Sequence, residues 1–134
     1  MSHVVIKSKK GVLIVRRTNE PGKGTWAIPW GRIYKNEKLE DAAKRKAFEE
    51  TSLKIKVIKQ LRVDETMFEQ GPFENVDTGV HTINITYLAE PIDENATIKL
   101  DETSSEYKWI NKLEDEKNIH PYPKEVLKES GVFD

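Results

Sequence analysis

Cysteine is absent from the 134 residues, which excludes a disulfide scaffold, a cysteine-ligated zinc site and a thiol nucleophile. Neither sign of charge dominates. The 22 Lys and Arg stand against 23 Asp and Glu, a net charge of -1, so no global field draws the chain to nucleic acid or to an anionic membrane, and any phosphate binding has to be local. Long hydrophobic runs are missing too: the opening "MSHVVIKSKKGVLIV" interrupts its apolar stretches with lysines, which fits neither a signal peptide nor a spanning helix. The expectation is a cytoplasmic protein with one domain over residues 1–134, a length at which roughly two-thirds of the unfolded surface can be buried. No serine sits in a nucleophile elbow and no glycine-rich phosphate loop with lysine occurs, which argues against covalent catalysis.

What is present alternates between strand and helix signals. "HVVIK" and "VLIVRR" flank "SKKG" and predict a hairpin over residues 3 to 17, with Gly11 in the turn. "TNEPGKG" is a loop, "TWAIP" a strand ended by Pro29, and "GRIY" another short strand. Helix formers dominate from Leu39 to about Thr51, where Leu39, Ala43 and Ala47 form a narrow apolar stripe expected to face the core. "KIKVIKQLRVDETMF" alternates at Ile55, Val57 and Leu61 with slips, and "HTINITYLAEPI" alternates at Ile83, Ile85 and Tyr87. Between them "EQGPFENVDTG" is a polar loop. After "EYKWI", a short strand, "NKLEDEKN" and "PKEVLKESG" look helical, with Pro123 near a start and Gly131 past an end.

The helix around Glu49 and Glu50 admits two readings. Asp41 with Arg45, Arg45 with Glu49 and Lys46 with Glu50 are all four apart, the spacing of solvated ion pairs on an ordinary charged helix. Alternatively, two adjacent carboxylates on one helical edge share a hard divalent cation such as Mg²⁺, which takes oxygen ligands and keeps some water.

A longer pattern bears on the choice. Gly31, Glu37, Arg45, the pair Glu49-Glu50 and the aliphatic Leu53 follow one another in "GRIYKNEKLEDAAKRKAFEETSL", which resembles the box of the Nudix hydrolases. "GTWAIPWG" stands where that family has a tryptophan-containing strand followed by proline and two glycines. "RRTNEPGKGTWAIP", "GRIYKNEKLEDAA" and "DETSSEYKWI" are most similar to its GDP-mannose mannosyl hydrolase branch. The resemblance implies the Nudix α/β/α sandwich, an α/β fold with a mixed central sheet between helices. It also implies Mg²⁺, with Mn²⁺ as an alternative, held by Glu49, Glu50 and the backbone carbonyl of Trp30. A nucleotide or nucleotide-sugar substrate follows from it, without a nucleic-acid or membrane partner. A homodimer is admitted, although no segment marks an interface.

The chain departs from the family pattern at three positions. Lys46 replaces a glutamate able to bind metal or act as base, and a protonated lysine can do neither. Trp30 replaces the first glycine of a pair, and Ser52 the glycine after the two glutamates. The histidine base of the mannosyl branch is missing as well, with Thr103 and Ser104 at the aligned positions.

The resemblance further implies that Arg17 and Arg32 stabilise the departing nucleoside diphosphate, since guanidinium forks match phosphate oxygens. It makes Glu102, near Asp101 and Glu106, the candidate base that activates a water, and gives His81 a counterpart at the substrate. Asn19 and Lys23 are further candidates for a phosphate or sugar contact. The activity so implied is hydrolysis of a nucleoside diphosphate-linked substrate, foremost a nucleotide sugar attacked at its anomeric carbon. Attack at phosphorus, and a nucleotide- or protein-binding module without turnover, are the alternatives.

Overall fold

The computed structural model describes residues 1–20, 22–68 and 80–134; the expected loop "EQGPFENVDTG" lies outside them. Strand β1 (Ser2–Ser8) turns through Lys9 and Lys10 into β2 (Gly11–Arg17). Gly11 takes φ +124, and a Cβ there would meet the Ile110 carbonyl, so both its conformation and its space require glycine. Two-residue strands β3 (Trp26–Ala27) and β4 (Trp30–Gly31) follow, and Pro29 between them offers its carbonyl to Val4 N–H at 2.9 Å. Helix α1 (Leu39–Thr51), the long strands β5 (Ile55–Phe68) and β6 (Val80–Pro91), β7 (Ser104–Ile110) and helix α2 (Pro121–Ser130) complete the order.

The strands make one mixed sheet in the order β3-β2-β1-β6-β5, with β4 also paired to β1 and β7 to β2. The β1–β6 pair is parallel and the remaining ones are antiparallel. Strand alternation sends successive side chains to opposite faces. Val4, Ile6 and Leu13 meet Ala43 and Ala47 of α1 on one face, while Val5, Val12 and Ile14 meet Val126 and Leu127 of α2 on the other. This is the α/β/α sandwich.

Two local expectations need correction. Leu39 is exposed: only Ala43 and Ala47 of the stripe reach the core, because Leu39 opens the helix in its first turn. "NKLEDEKN" forms no α-helix, only a short 3-10 turn at Leu113–Asp115. The slips expected along β5 are two register shifts, at Val57/Lys59 and Gln60/Arg62; each adds one residue, so the second restores the facing that the first reverses. Beyond them Thr66, Thr82 and Asn84 turn inward, whereas Ile83, at 65% exposure, points outward with Val63 and Met67.

Candidate active site

The end of β2, strand β4, the last turns of α1 and the turn before β7 converge on an open cleft of about 290 Å³. Arg17, Asn19, Trp30, Arg32, Lys46, Glu50 and Thr103 line it.

The loop of residues 31 to 37 is pinned to α1 by Arg45. Its Nε donates to Glu37 Oε2 at 2.7 Å, its terminal nitrogens to Glu37 Oε1 at 3.0 Å and to the Arg32 carbonyl at 2.7 Å, and its guanidinium lies 3.8 Å from the Tyr34 ring centroid. The Arg45 hydrogen bonds and the Tyr34 amide hold the Glu37 carboxyl down at about 2. Glu37 and Arg45 are therefore a structural clasp, and their spacing in the sequence reflects a loop that must return to one helix face.

The two adjacent glutamates lie in opposite environments. Glu50 is 3% exposed. Its Oε2 accepts the Trp30 N–H at 3.0 Å, and its Oε1 lies 3.3 Å from Thr103 Oγ1. Burial pushes its carboxyl up to about 7, opposed by the charge of Lys46 and reinforced by that of Asp101. Thr103 Oγ1 also lies 2.5 Å from Asp101 Oδ1, so the Thr103 hydroxyl is shared between the two carboxylates, and its bond to Glu50 works against the rise that burial causes. Glu49 is 42% exposed and accepts from Arg45 at 3.1 Å and from Lys46 Nζ at 3.2 Å. Partial burial pushes its pKa up, but the Arg45 and Lys46 hydrogen bonds prevail and the net shift is down. Neighbouring carboxyls drawn apart in this way are suited to different chemical roles.

Arg17 places its guanidinium 4.8 Å from the Trp30 ring centroid. Its pKa is lowered by burial, against the opposing charges of Glu50 and Glu20. The other face of this region is a small enclosed cavity of about 30 Å³, room for about one water. There His3 stacks on Trp30 at 5.5 Å and pairs through Nε2 with Asn84 Oδ1 at 3.2 Å. Burial pushes His3 down to about 4, so it is neutral at pH 7.

The cleft thus gathers Arg17, Arg32 and Glu50 of the expected site, with Glu49 beside them. Trp30 reaches Glu50 through its backbone N–H. Two expected residues stand apart. Glu102 is exposed, and it is its carbonyl that accepts the Thr18 hydroxyl at 2.6 Å. His81, also exposed, pairs with Glu65 at 2.8 Å on β6 and is not among the residues lining the cleft. Lys23 is exposed, and the cleft includes Asn19 but not Lys23. Asp101 and Thr103, which sequence reasoning did not single out for this role, couple to Glu50. Their only sequence signal is a polar stretch before a strand.

Among the described residues no three His, Cys, Asp or Glu side chains group as metal ligands; a divalent cation here would take Glu50, Glu49 and the Trp30 carbonyl, with water completing the shell. A buried carboxyl that burial drives toward protonation is a place where added positive charge stabilises the anion.

The comparisons agree with the fold and with the box. The Nudix domain profile matches residues 1–129. The chain is 30% identical over 124 residues to the "Low-salt glycan biosynthesis protein Agl8" of Haloferax volcanii, covering 92% of this chain and 76% of that protein. It is 28% identical over 109 residues to an "ADP-ribose pyrophosphatase" of Methanocaldococcus jannaschii, covering 81% of this chain and 60% of that one. A MutT Nudix hydrolase structure from Burkholderia pseudomallei superposes with a TM-score of 0.77 at 19% identity, covering 96% of this chain and 94% of that one; it speaks to the fold. With the profile spanning nearly the whole chain and the clasp and paired glutamates in place, this protein belongs to the Nudix domain family, as a Nudix-type hydrolase.

Proposed function

We propose that this chain is a Mg²⁺-dependent hydrolase of a nucleoside diphosphate-linked substrate, with a nucleotide sugar as the preferred class. The observation that carries the reading is a buried carboxyl, Glu50, held at about 7 in a cleft that Arg17, Arg32 and Lys46 also line. An anionic diphosphate is attracted to such a wall, and guanidiniums bind its oxygens in pairs. A relative named for glycan biosynthesis and one named for ADP-ribose both support a diphosphate joined to a sugar.

Arg17, stiffened against Trp30, and Arg32 orient the diphosphate. Glu50, whose buried carboxylate a cation at the site would keep ionised, would hold that cation next to the arginines. Mg²⁺, when bound at Glu49 and Glu50, supplies Lewis acidity toward a water and a phosphoryl oxygen.

A second reading, attack at phosphorus, is favoured by Thr103 and Ser104 standing where the mannosyl branch has its histidine base, which leaves attack at the sugar carbon without an imidazole; His81 is paired with Glu65.

One experiment tests both. A panel of nucleoside diphosphate compounds is incubated with and without Mg²⁺, using the native chain and Glu50→Gln, in oxygen-labelled water. Turnover that requires Mg²⁺ and Glu50 is expected. Label on the sugar means carbon attack and label on phosphate means phosphorus attack; no Mg²⁺-dependent product from any compound sinks the proposal.

A further inference from the structure

Lys46 sits where the family pattern has a metal-binding glutamate, and the structure gives it a built position. Its stem crosses Gly31 so closely that a Cβ on that glycine would overlap the lysine's methylenes. Gly31 has no positive φ, and the lysine stem lies directly over it. The ammonium lies 3.2 Å from Glu49 Oε2, and its side chain is only 17% exposed. Its charge also acts on Glu50, and it lines the same cleft as Arg17 and Arg32.

We propose that Lys46 is a fixed cation replacing one divalent ion: the site takes a single Mg²⁺ at Glu49 and Glu50, and the Lys46 ammonium supplies the remaining positive charge directly to a phosphate oxygen of the substrate. This rests on the reading above of a diphosphate hydrolase and adds to it how the diphosphate charge is shared. A second dication next to an ammonium already in hydrogen-bond contact with Glu49 would meet repulsion at a few ångströms, where charges interact most strongly. An ammonium is also a compact donor well suited to a single phosphate oxygen. On entry of the diphosphate, Lys46 exchanges Glu49 Oε2 for a phosphate oxygen and frees that carboxylate oxygen for the ion.

The test counts ions. Mn²⁺ binding is followed by electron paramagnetic resonance with α,β-methylene-ADP as a diphosphate probe that does not hydrolyse, in the native chain, Lys46→Met and Lys46→Glu. The native chain is expected to bind one Mn²⁺ per chain with the probe, and Lys46→Glu two. Lys46→Met keeps the stem over Gly31 and folds without the charge. It is expected to bind Mn²⁺ several-fold more tightly and the probe roughly tenfold more weakly, the size of one lost charge-assisted hydrogen bond. Two ions in the native chain, or unchanged affinities for both Mn²⁺ and probe in Lys46→Met, overturn this inference and leave the hydrolase reading standing. No Mn²⁺ in any of the three chains overturns both.

Discussion

The amide N–H of Trp30 donates to Glu50 Oε2 at 3.0 Å, across twenty positions of chain. The bond ties β4 to the last turn of α1. It uses the backbone and not the indole, so a tryptophan can stand at a glycine position of the family without loosening the carboxyl. The indole instead packs on His3, and His3 and Glu50 are shifted in opposite senses.

Those two groups set the pH dependence of stability. Glu50 is raised from 4.5 to about 7, so its contribution is present below 4.5 and is lost as pH rises through about 7, on the order of 3 kcal/mol. His3 is lowered from 6.5 to about 4: in that window the unfolded chain binds a proton that the folded one refuses, and stability rises with pH. The effects oppose each other, so these two groups leave the native chain nearly flat between about 4.5 and 6.5. Calorimetric Tm in EDTA should rise with pH for Glu50→Gln and fall for His3→Gln. A Glu50→Gln profile parallel to the native one refutes the assignment.

Ser52 closes α1 with φ 66, a left-handed conformation that costs a non-glycine residue about 1 kcal/mol. Its hydroxyl donates to the Lys99 carbonyl at 3.1 Å at an exposed site, which offsets part of that. Ser52→Gly is expected to raise Tm by a few degrees. A fall would mean that the hydroxyl bond outweighs the strain.

Gly31 and Lys46 should be energetically coupled. Gly31→Ala drives a methyl into the lysine stem and is expected to cost about 1 kcal/mol in urea unfolding. In a Lys46→Ala background that cost should largely vanish, since residues in contact are not additive. Equal costs in both backgrounds would place the clash elsewhere.

Arg17→Ala should raise KM for a nucleotide sugar by roughly 10- to 100-fold, the scale of lost charge-assisted hydrogen bonds. Arg17→Lys should fall between, because an ammonium lacks the fork. Steady-state kinetics read the result, and an unchanged KM removes Arg17 from the substrate site.

Much of this was legible in the chain. Apolar runs broken by Gly11 and Pro29 marked the first strands, and helix formers bounded α1 at Leu39 and Thr51, because those signals are local and depend on backbone preference. The spacing from Gly31 to Glu50 was legible too, since a clasp between Glu37 and Arg45 has to match one helix face. The exposure of Ile83 was not: it shares a β6 face with buried Tyr87, and how far along that face the sheet is covered by the Ala43 and Ala47 cluster is decided by tertiary packing.

Sequence by itself determined the composition of the site: two adjacent carboxylates, several arginines, a lysine among the acids, and no cysteine. Tertiary structure decided which of them meet. It buried Glu50 and left Glu49 half in solvent, brought Asp101 and Thr103 to the buried carboxyl in place of Glu102, and turned His81 outward. The reason is physical: a residue's chemistry is set by its type, but its burial and many of its hydrogen-bond partners come from distant segments, such as Trp30 and Thr103 at Glu50, through contacts that exist only once the sheet has assembled.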